Sequence, residues 1–476
     1  MARFAHAVVL GGMLVAGCSE APKLSIEKLE DPATCAECHQ QHYTEWSASM
    51  HAYASDDPVF IAMNRRGQRE AQLGTFCVQC HAPMAVALGL TDGTNFDPQA
   101  LPPKARGITC YFCHDVAKVM DDHNNGLQLA FDDTMRGGAA DPADSPAHRS
   151  IFDKQMASTS NHSQMCGSCH DVVTPRGVAL ERTYHEWQGT IFANDDPAHE
   201  LPLTCSGCHM KSDPTMTLIA DKPGLNVKSR KNGFHEHLWP GIDQARAGFP
   251  GLDTQAAAIQ RDLDPALTIV GPAPIGGTIG GGGICVTPVN GGQLTVRIDT
   301  RGTGHAWPSG AAQDRRAWLE VIAYDASNNV VFSSGVVPDD KDPEDLSDPK
   351  LFGLWDRIQQ SDATPAHFFW EVATVQSQLL KPPVTLVQND PAFDHSSTAT
   401  FDVSAVLSKL DHITARVRIR PFNHAVLDQL VASRDLDPAV AANLTTLDIA
   451  GSLRHWTSAG AAMTVPFTGC VSDPFQ

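Results

Sequence analysis

Positive charge is scarce in this chain: 35 Lys and Arg stand against 54 Asp and Glu, for a formal net charge of −19 at pH 7. A surface so acidic repels phosphate backbones, which excludes nucleic acid as a partner. Long apolar runs are equally scarce. Apart from Ala7–Ala16, no stretch approaches the roughly 20 apolar residues that a membrane-spanning helix requires. From Pro22 to about Gly241 the chain also lacks aliphatic clusters and shows little of the alternation that marks strands. A segment with so little apolar surface does not offset the entropy of ordering its own backbone, so its core must come from elsewhere.

What that half has instead is five copies of Cys-x-x-Cys-His, at Cys35–His39, Cys77–His81, Cys110–His114, Cys166–His170 and Cys205–His209. The paired thiols, Cys35 with Cys38, Cys77 with Cys80, Cys110 with Cys113, Cys166 with Cys169 and Cys205 with Cys208, have the spacing that adds across the two vinyl groups of a haem. The adjacent His39, His81, His114, His170 and His209 then lie under the iron as proximal ligands. Zinc would gather Cys-x-x-Cys units into four-ligand sets, and five units do not pair. A redox dithiol leaves the recurrent histidine unexplained. The motifs therefore predict five haem c groups. Haem supplies the missing core, and without it this half is expected to be largely unfolded.

The N-terminus predicts export. Arg3 precedes the apolar run, and Val15-Ala16-Gly17-Cys18 resembles a lipobox, with residues 1–17 as signal peptide and Cys18 as the acylated residue. An ordinary secretory signal is the alternative, and covalent haem attachment requires export in either case. Ser19, by resemblance to bacterial sorting rules, favours the outer membrane, so the expected location is a periplasmic or cell-surface lipoprotein anchored by lipid. Of 13 cysteines, ten belong to the motifs and Cys18 takes lipid, leaving Cys285 and Cys470. In an oxidising compartment these two are candidates for a disulfide, with two buried thiols as the alternative.

Composition divides the rest. Residues 18–245 read as an α-rich, loop-rich multihaem cytochrome c domain, 246–283 as a Gly- and Pro-rich connector ending in PAPIGGTIGGGG, and 284–476 as an all-β, sandwich-like domain. Strands are predicted over Gln293–Asp299, Arg316–Asp325, Asn329–Ser334, Thr400–Val403, Ile413–Ile419 and Ala462–Phe467, with a helical insertion near Ala425–Asp435.

Each iron has a second axial position. If Gln40–Ala54 is one helix, His51 lies about 18 Å along the axis from His39, too far to grip the same iron, and should serve a neighbouring haem. His162, four residues before Cys166, is a further distal candidate. His42 is one turn from His39 and is expected to bond locally. Met63, Met84, Met120 and Met165 are possible axial ligands, although methionine is more often core filler.

Several longer motifs resemble the multihaem cytochromes related to the tetrahaem electron carrier of bacterial hydroxylamine oxidation. They are CAECH followed by Trp46-x-x-Ser49-x-His51-Ala52; Phe76-Cys77-x-x-Cys80-His81-Ala82-Pro83; and Gly107-Ile108-Thr109-Cys110-x-x-Cys113-His114-Asp115. Ser145-Pro146-Ala147-His148, Leu180-Glu181-x-Thr183-Tyr184-x-Glu186-Trp187 and His235-x-His237-x-x-x-Gly241 continue the pattern. The resemblance implies that His51, His148 and one of His235 and His237 are distal ligands. Gly304-His305-x-x-Pro308-Ser309-Gly310, followed by Arg316-x-Trp318-Leu319, resembles the β-domain signature of pentahaem relatives, in which His305 would reach back to a haem. His123, His162 and His185 fall off the pattern, which leaves the fifth distal ligand open.

The leading function is electron transfer through five haems, with redox partners presenting basic docking surfaces to the acidic chain. The alternative is a multihaem oxidoreductase of a small nitrogen or sulfur species with one five-coordinate iron; no Cys-x-x-Cys-Lys variant is present to mark such a site. In a third reading the β-domain docks the protein into a larger assembly. Asp314, Arg315 and Arg316 form the one dense charge cluster near the His305 loop and are expected to be a solvated face.

Overall fold

The computed structural model describes residues 23–461 apart from 140, 143–144, 157–159, 194–202, 221, 223–226, 247, 271–282, 288–291 and 301. Cys18, Cys470 and the strand expected over Ala462–Phe467 lie outside the described residues. The backbone of His162 falls in the helix Ser160–Gly167, but its side chain is likewise outside them. No helix among the described residues is long and apolar enough to cross a membrane.

The first half consists of short helices joined by loops and two-strand pairings such as Val116–Val119 with Leu127–Leu129. The attachment motifs themselves wind into single turns. Cys110–His114 and Cys205–His209 are five-residue helices whose N-caps, Thr109 and Thr204, accept from the backbone amides of Phe112 and Gly207. In an α-turn, positions i, i+3 and i+4 share a face, so each motif points its two thiols and its imidazole the same way.

The expected continuous helix Gln40–Ala54 is broken. It runs as Gln40–Ser47 and Met50–Tyr53, because Ser49 caps a new start by accepting from the Ala52 amide. The break redirects His51, and the straight-rod distance from His39 does not apply. Trp46 and His51 are then locked to the third motif: Trp46 Nε1 donates to the Ile108 carbonyl at 2.7 Å and the Ile108 amide donates to the His51 carbonyl at 2.9 Å. Gly107 makes this approach possible. Its φ is +60°, and an added Cβ would lie 2.5 Å from the carbonyl oxygens of His51 and Ala52.

Of the expected connector, PAPIGGTIGGGG lies outside the described residues apart from Gly283, and the part before it is not a plain linker. Within 246–283 the chain forms the helix Leu252–Leu263 and the strand Thr268–Val270, which pairs with Gln293–Asp299. Gln255, Ala258, Ile259 and Leu263 recur at helical spacing and are buried. The flanking Pro and Gly residues masked that periodicity in the sequence.

The C-terminal part is sheet-rich. One antiparallel sheet holds Ile284–Thr287, Gln293–Asp299 and Ser397–Asp402, with Thr268–Val270 at its side. A second has Arg316–Tyr324 and His412–Arg420 at its centre, paired residue for residue from Arg316 with Arg420 to Tyr324 with His412. Leu294, Val296, Ile298 and Phe401 of the first sheet and Ala317, Leu319, Val321, Ile413, Ala415, Val417 and Ile419 of the second share one apolar cluster. The helical insertion is His424–Ala432. Its Val426, Leu427 and Leu430 pack with Val59 and Ala62 of the helix Pro58–Ala71 and with Phe368 and Trp370, joining the two halves. Cys285 is disulfide-bonded.

The sheets own a large aliphatic core, whereas the largest cluster in the first half packs around motif residues such as Val78, Ala82 and Phe112. Chain produced without haem attachment should therefore exchange its amides rapidly over residues 24–241 while the two C-terminal sheets stay protected, as hydrogen exchange read by mass spectrometry would register.

Candidate haem-binding site

The geometry of the imidazoles decides what the motifs hold. A metal bound by imidazole nitrogens at about 2 Å places the two ring centres about 6 Å apart. Four pairs meet that requirement. His39 faces His148 at 6.3 Å between centroids, His170 faces His51 at 6.1 Å, His114 faces His237 at 6.5 Å and His209 faces His305 at 6.3 Å. Each joins a motif histidine to one from a distant segment.

Backbone carbonyls fix most of these rings. The Nδ1–H of His39 donates to the Ile219 carbonyl at 2.6 Å, that of His114 to Arg136 at 2.6 Å, that of His209 to Pro240 at 2.9 Å and that of His81 to Ala54 at 3.2 Å. On the distal side His148, His237 and His305 donate to Arg149, His235 and Ala306. A carbonyl accepts only, so Nδ1 carries the proton and Nε2 is left as the metal-binding lone pair. Burial pushes His51 down to about 3 and both His170 and His305 to about 4, with neighbouring histidines adding to the shift. The rings are thus held in the neutral, ligating form.

The structure separates the open alternatives. His237, not His235, faces a motif ring; the Nδ1 of His235 is bonded to the Met210 carbonyl. His42 also lies 6.3 Å from His39, but one helical turn away on the same side, and it packs against His237 at 4.5 Å. His123 pairs with Asp121 at 2.8 Å and His185 is exposed. Met120 is 61% exposed, while Met84 and Met165 are buried and Met63 packs on the interface cluster. His81 is the exception. Its ring stacks on Phe60 at 4.1 Å, and among the described residues no histidine faces it across 6 Å.

His305 arrives through a clamped loop. Glu186 accepts from the Ala306 amide at 3.2 Å and from Ser309 Oγ at 2.7 Å, while Thr183 Oγ1 accepts from the Gly310 amide at 3.0 Å. This is the work of the Thr183-Tyr184-x-Glu186 motif, whose role the sequence did not reveal. Glu45, which accepts from the His237 amide at 2.9 Å, and Trp239, 4.7 Å from the His51 ring, were likewise missed. Helical spacing from Gln41 gave no sign that Glu45 points at a partner 192 residues away.

Thiols of different motifs adjoin. Cys35 lies beside Cys110, Cys166 beside Cys205 and Cys169 beside Cys80, and Cys113 is near both Cys166 and Cys169. The first motif thus neighbours the third, the third the fourth and the fourth the fifth, with the second attached beside the fourth. Ten thiols, five adjacent imidazoles and four matched distal imidazoles fit haem c and no other group.

The Asp314, Arg315 and Arg316 cluster is not a solvated face. Asp314 and Arg316 are buried, Arg315 pairs with Asp243 at 3.0 Å and Arg316 with Glu344 at 2.5 Å.

Residues 34–115 match the family of cytochrome c554 and c-prime. The whole chain is similar in structure to a penta-heme cytochrome c552 from Thermochromatium tepidum, with a TM-score of 0.59 and 17% identity over 91% of this chain and 99% of that one. No curated protein matches. These findings support a multihaem c-type cytochrome fold with a sheet-rich C-terminal part.

Two outcomes test the site. His237→Ala should abolish one set of low-spin ferric resonances while His235→Ala leaves all of them, as read by electron paramagnetic resonance. Burial, with Glu181 nearby, raises the Asp314 carboxyl to about 7. The folded state then binds a proton that the unfolded chain has released, so this group's contribution is present below about pH 4 and is lost as pH rises towards 7. Asp314→Asn should remove that loss, flattening the urea midpoint between pH 5 and 8.

Proposed function

We propose that this protein transfers electrons through five covalently bound haem c groups. The observation that carries the reading is the set of four imidazole pairs, each spaced for one metal and drawn from separate parts of the chain. When bound, haem c supplies a one-electron iron couple. The protein's residues supply the rest. Each imidazole pair would hold an iron from both sides and leave no open position on it, and the carbonyl bonds hold seven of the rings in one orientation. Cysteines of different motifs adjoin, so haems attached to them would be near neighbours, as rapid hopping between them requires.

Finer points belong to the same reading. The two C-terminal sheets with their common core are a β-sandwich, and the motifs place the chain with the multihaem cytochromes related to the tetrahaem carrier of hydroxylamine oxidation. The lipobox at Cys18 makes the protein an exported, outer-membrane lipoprotein, Cys470 is the partner of Cys285, and the acidic remainder of the surface receives basic redox partners.

His81 favours a second activity at one position. It presents a held, half-buried imidazole, stacked on Phe60 and with no described histidine opposite, which suits an iron that binds a small nitrogen or sulfur species. Electron paramagnetic resonance of the oxidised protein should give four low-spin haems and one high-spin haem, and carbon monoxide should perturb about one fifth of the reduced Soret intensity. Five low-spin haems with no carbon monoxide response would leave the pure carrier and remove the second activity.

A further inference from the structure

We propose that the surface around the His39 and His148 pair is a docking face for an acidic redox partner, one that rings its own cofactor with carboxylates; this rests on the electron-transfer reading above. The bonds from His39 to Ile219 and from His148 to Arg149 are exposed to solvent. Those of His81, His114, His209, His237 and His305 are partly buried. A partner therefore comes nearest to a haem here, and this pair also stands at one end of the thiol-linked order.

The face is basic in a chain of net charge −19. Lys222–Lys231 holds Lys222, Lys228, Arg230 and Lys231 and no carboxylate, and its three lysines are exposed. The segment is tied to the pair. Ile219 holds the His39 ring, Lys222 reaches Glu37 inside the first motif at 3.3 Å, and Lys228 meets Asp141 at 2.8 Å, with Arg230 on the same carboxylate. Lys23 lies on the Ser145 carbonyl at 2.6 Å, and Arg149 follows His148. Six cations thus meet three carboxylates, Glu37, Asp133 and Asp141. Leu218 and Ile219 are exposed within this rim, giving an apolar centre and a charged border. Charge complementarity selects an acidic partner here and turns away the basic ones that the rest of the surface attracts, so donor and acceptor are sorted to different faces.

Stopped-flow oxidation of the fully reduced holoprotein tests this with two probes, anionic hexacyanoferrate(III) and cationic tris(phenanthroline)cobalt(III). The hexacyanoferrate rate should fall as ionic strength rises, despite the net negative chain. In K222E/K228E/K231E it should drop about tenfold at low salt and then rise with salt, while the cobalt rate increases. On the unaltered protein, a decaglutamate peptide should slow hexacyanoferrate and decalysine should not. A hexacyanoferrate rate that rises with salt in the unaltered protein, or one indifferent to both decaglutamate and charge reversal, overturns the docking face and leaves the carrier reading standing. Failure of either reagent to oxidise any haem overturns both.

Discussion

The constraint on which this structure depends is the hydrogen bond from an imidazole Nδ1–H to a backbone carbonyl. Seven of the motif and facing histidines make it, four of them to carbonyls in loops or turns (Ile219, Ala54, Pro240 and Ala306) and three to carbonyls in short strands (Arg136, Arg149 and His235). The bond sets the tautomer, aims Nε2 and, because the carbonyl is remote in sequence for four of the five motif rings, fixes where a loop must lie. His39 takes its carbonyl from Ile219, 180 residues away. A loop-rich domain can be ordered in this way with few aliphatic contacts, since His39, His114 and His209 each become a crosslink between three segments: their own, the one that offers the carbonyl and the one that offers the facing ring.

The two halves of the chain are bound by the same logic. The fifth motif pairs with His305, which belongs to the C-terminal half, and the loop bearing it is gripped by Glu186 and Thr183 of the first half. A separate apolar contact, between the helix Pro58–Ala71 and the insertion His424–Ala432, closes the interface on another side. The C-terminal sheets are thus more than an appendage. They supply the imidazole that faces the fifth motif's histidine and hold it in place.

Much of this was legible in the sequence. The five motifs needed only their spacing, and the strand Gln293–Asp299 was read to the residue, because covalent chemistry and period-two alternation are local signals. His51 was named from its spacing to His39 as well as from resemblance, His148 and His305 from resemblance alone, and the choice between His235 and His237 had to await the ring geometry. What stayed hidden was non-local or masked. The helix Leu252–Leu263 sits among Pro and Gly residues that read as a linker, the cap at Ser49 splits a helix whose composition promised continuity, and the buried charges Asp314 and Arg316 look like any surface cluster until the strands around them are placed. The clamp at Glu186 has no sequence signal beyond the motif that contains it.

The order of the motifs in space gives the arrangement its consequence. Thiol contacts run from the first motif to the third, the fourth and the fifth, with the second attached to the fourth. The second motif, whose His81 faces no described histidine, thus adjoins the fourth motif and stands beside the order first, third, fourth and fifth. An iron that binds a ligand changes its potential as it does so, and placed in series it would interrupt conduction whenever it was occupied. A haem held on a branch by Cys77, Cys80 and His81 would exchange electrons with the line without obstructing it. The chain order of the motifs gives no hint of this, since the second motif precedes the third; it is the fold, through Cys80 against Cys169, that takes it out of the path.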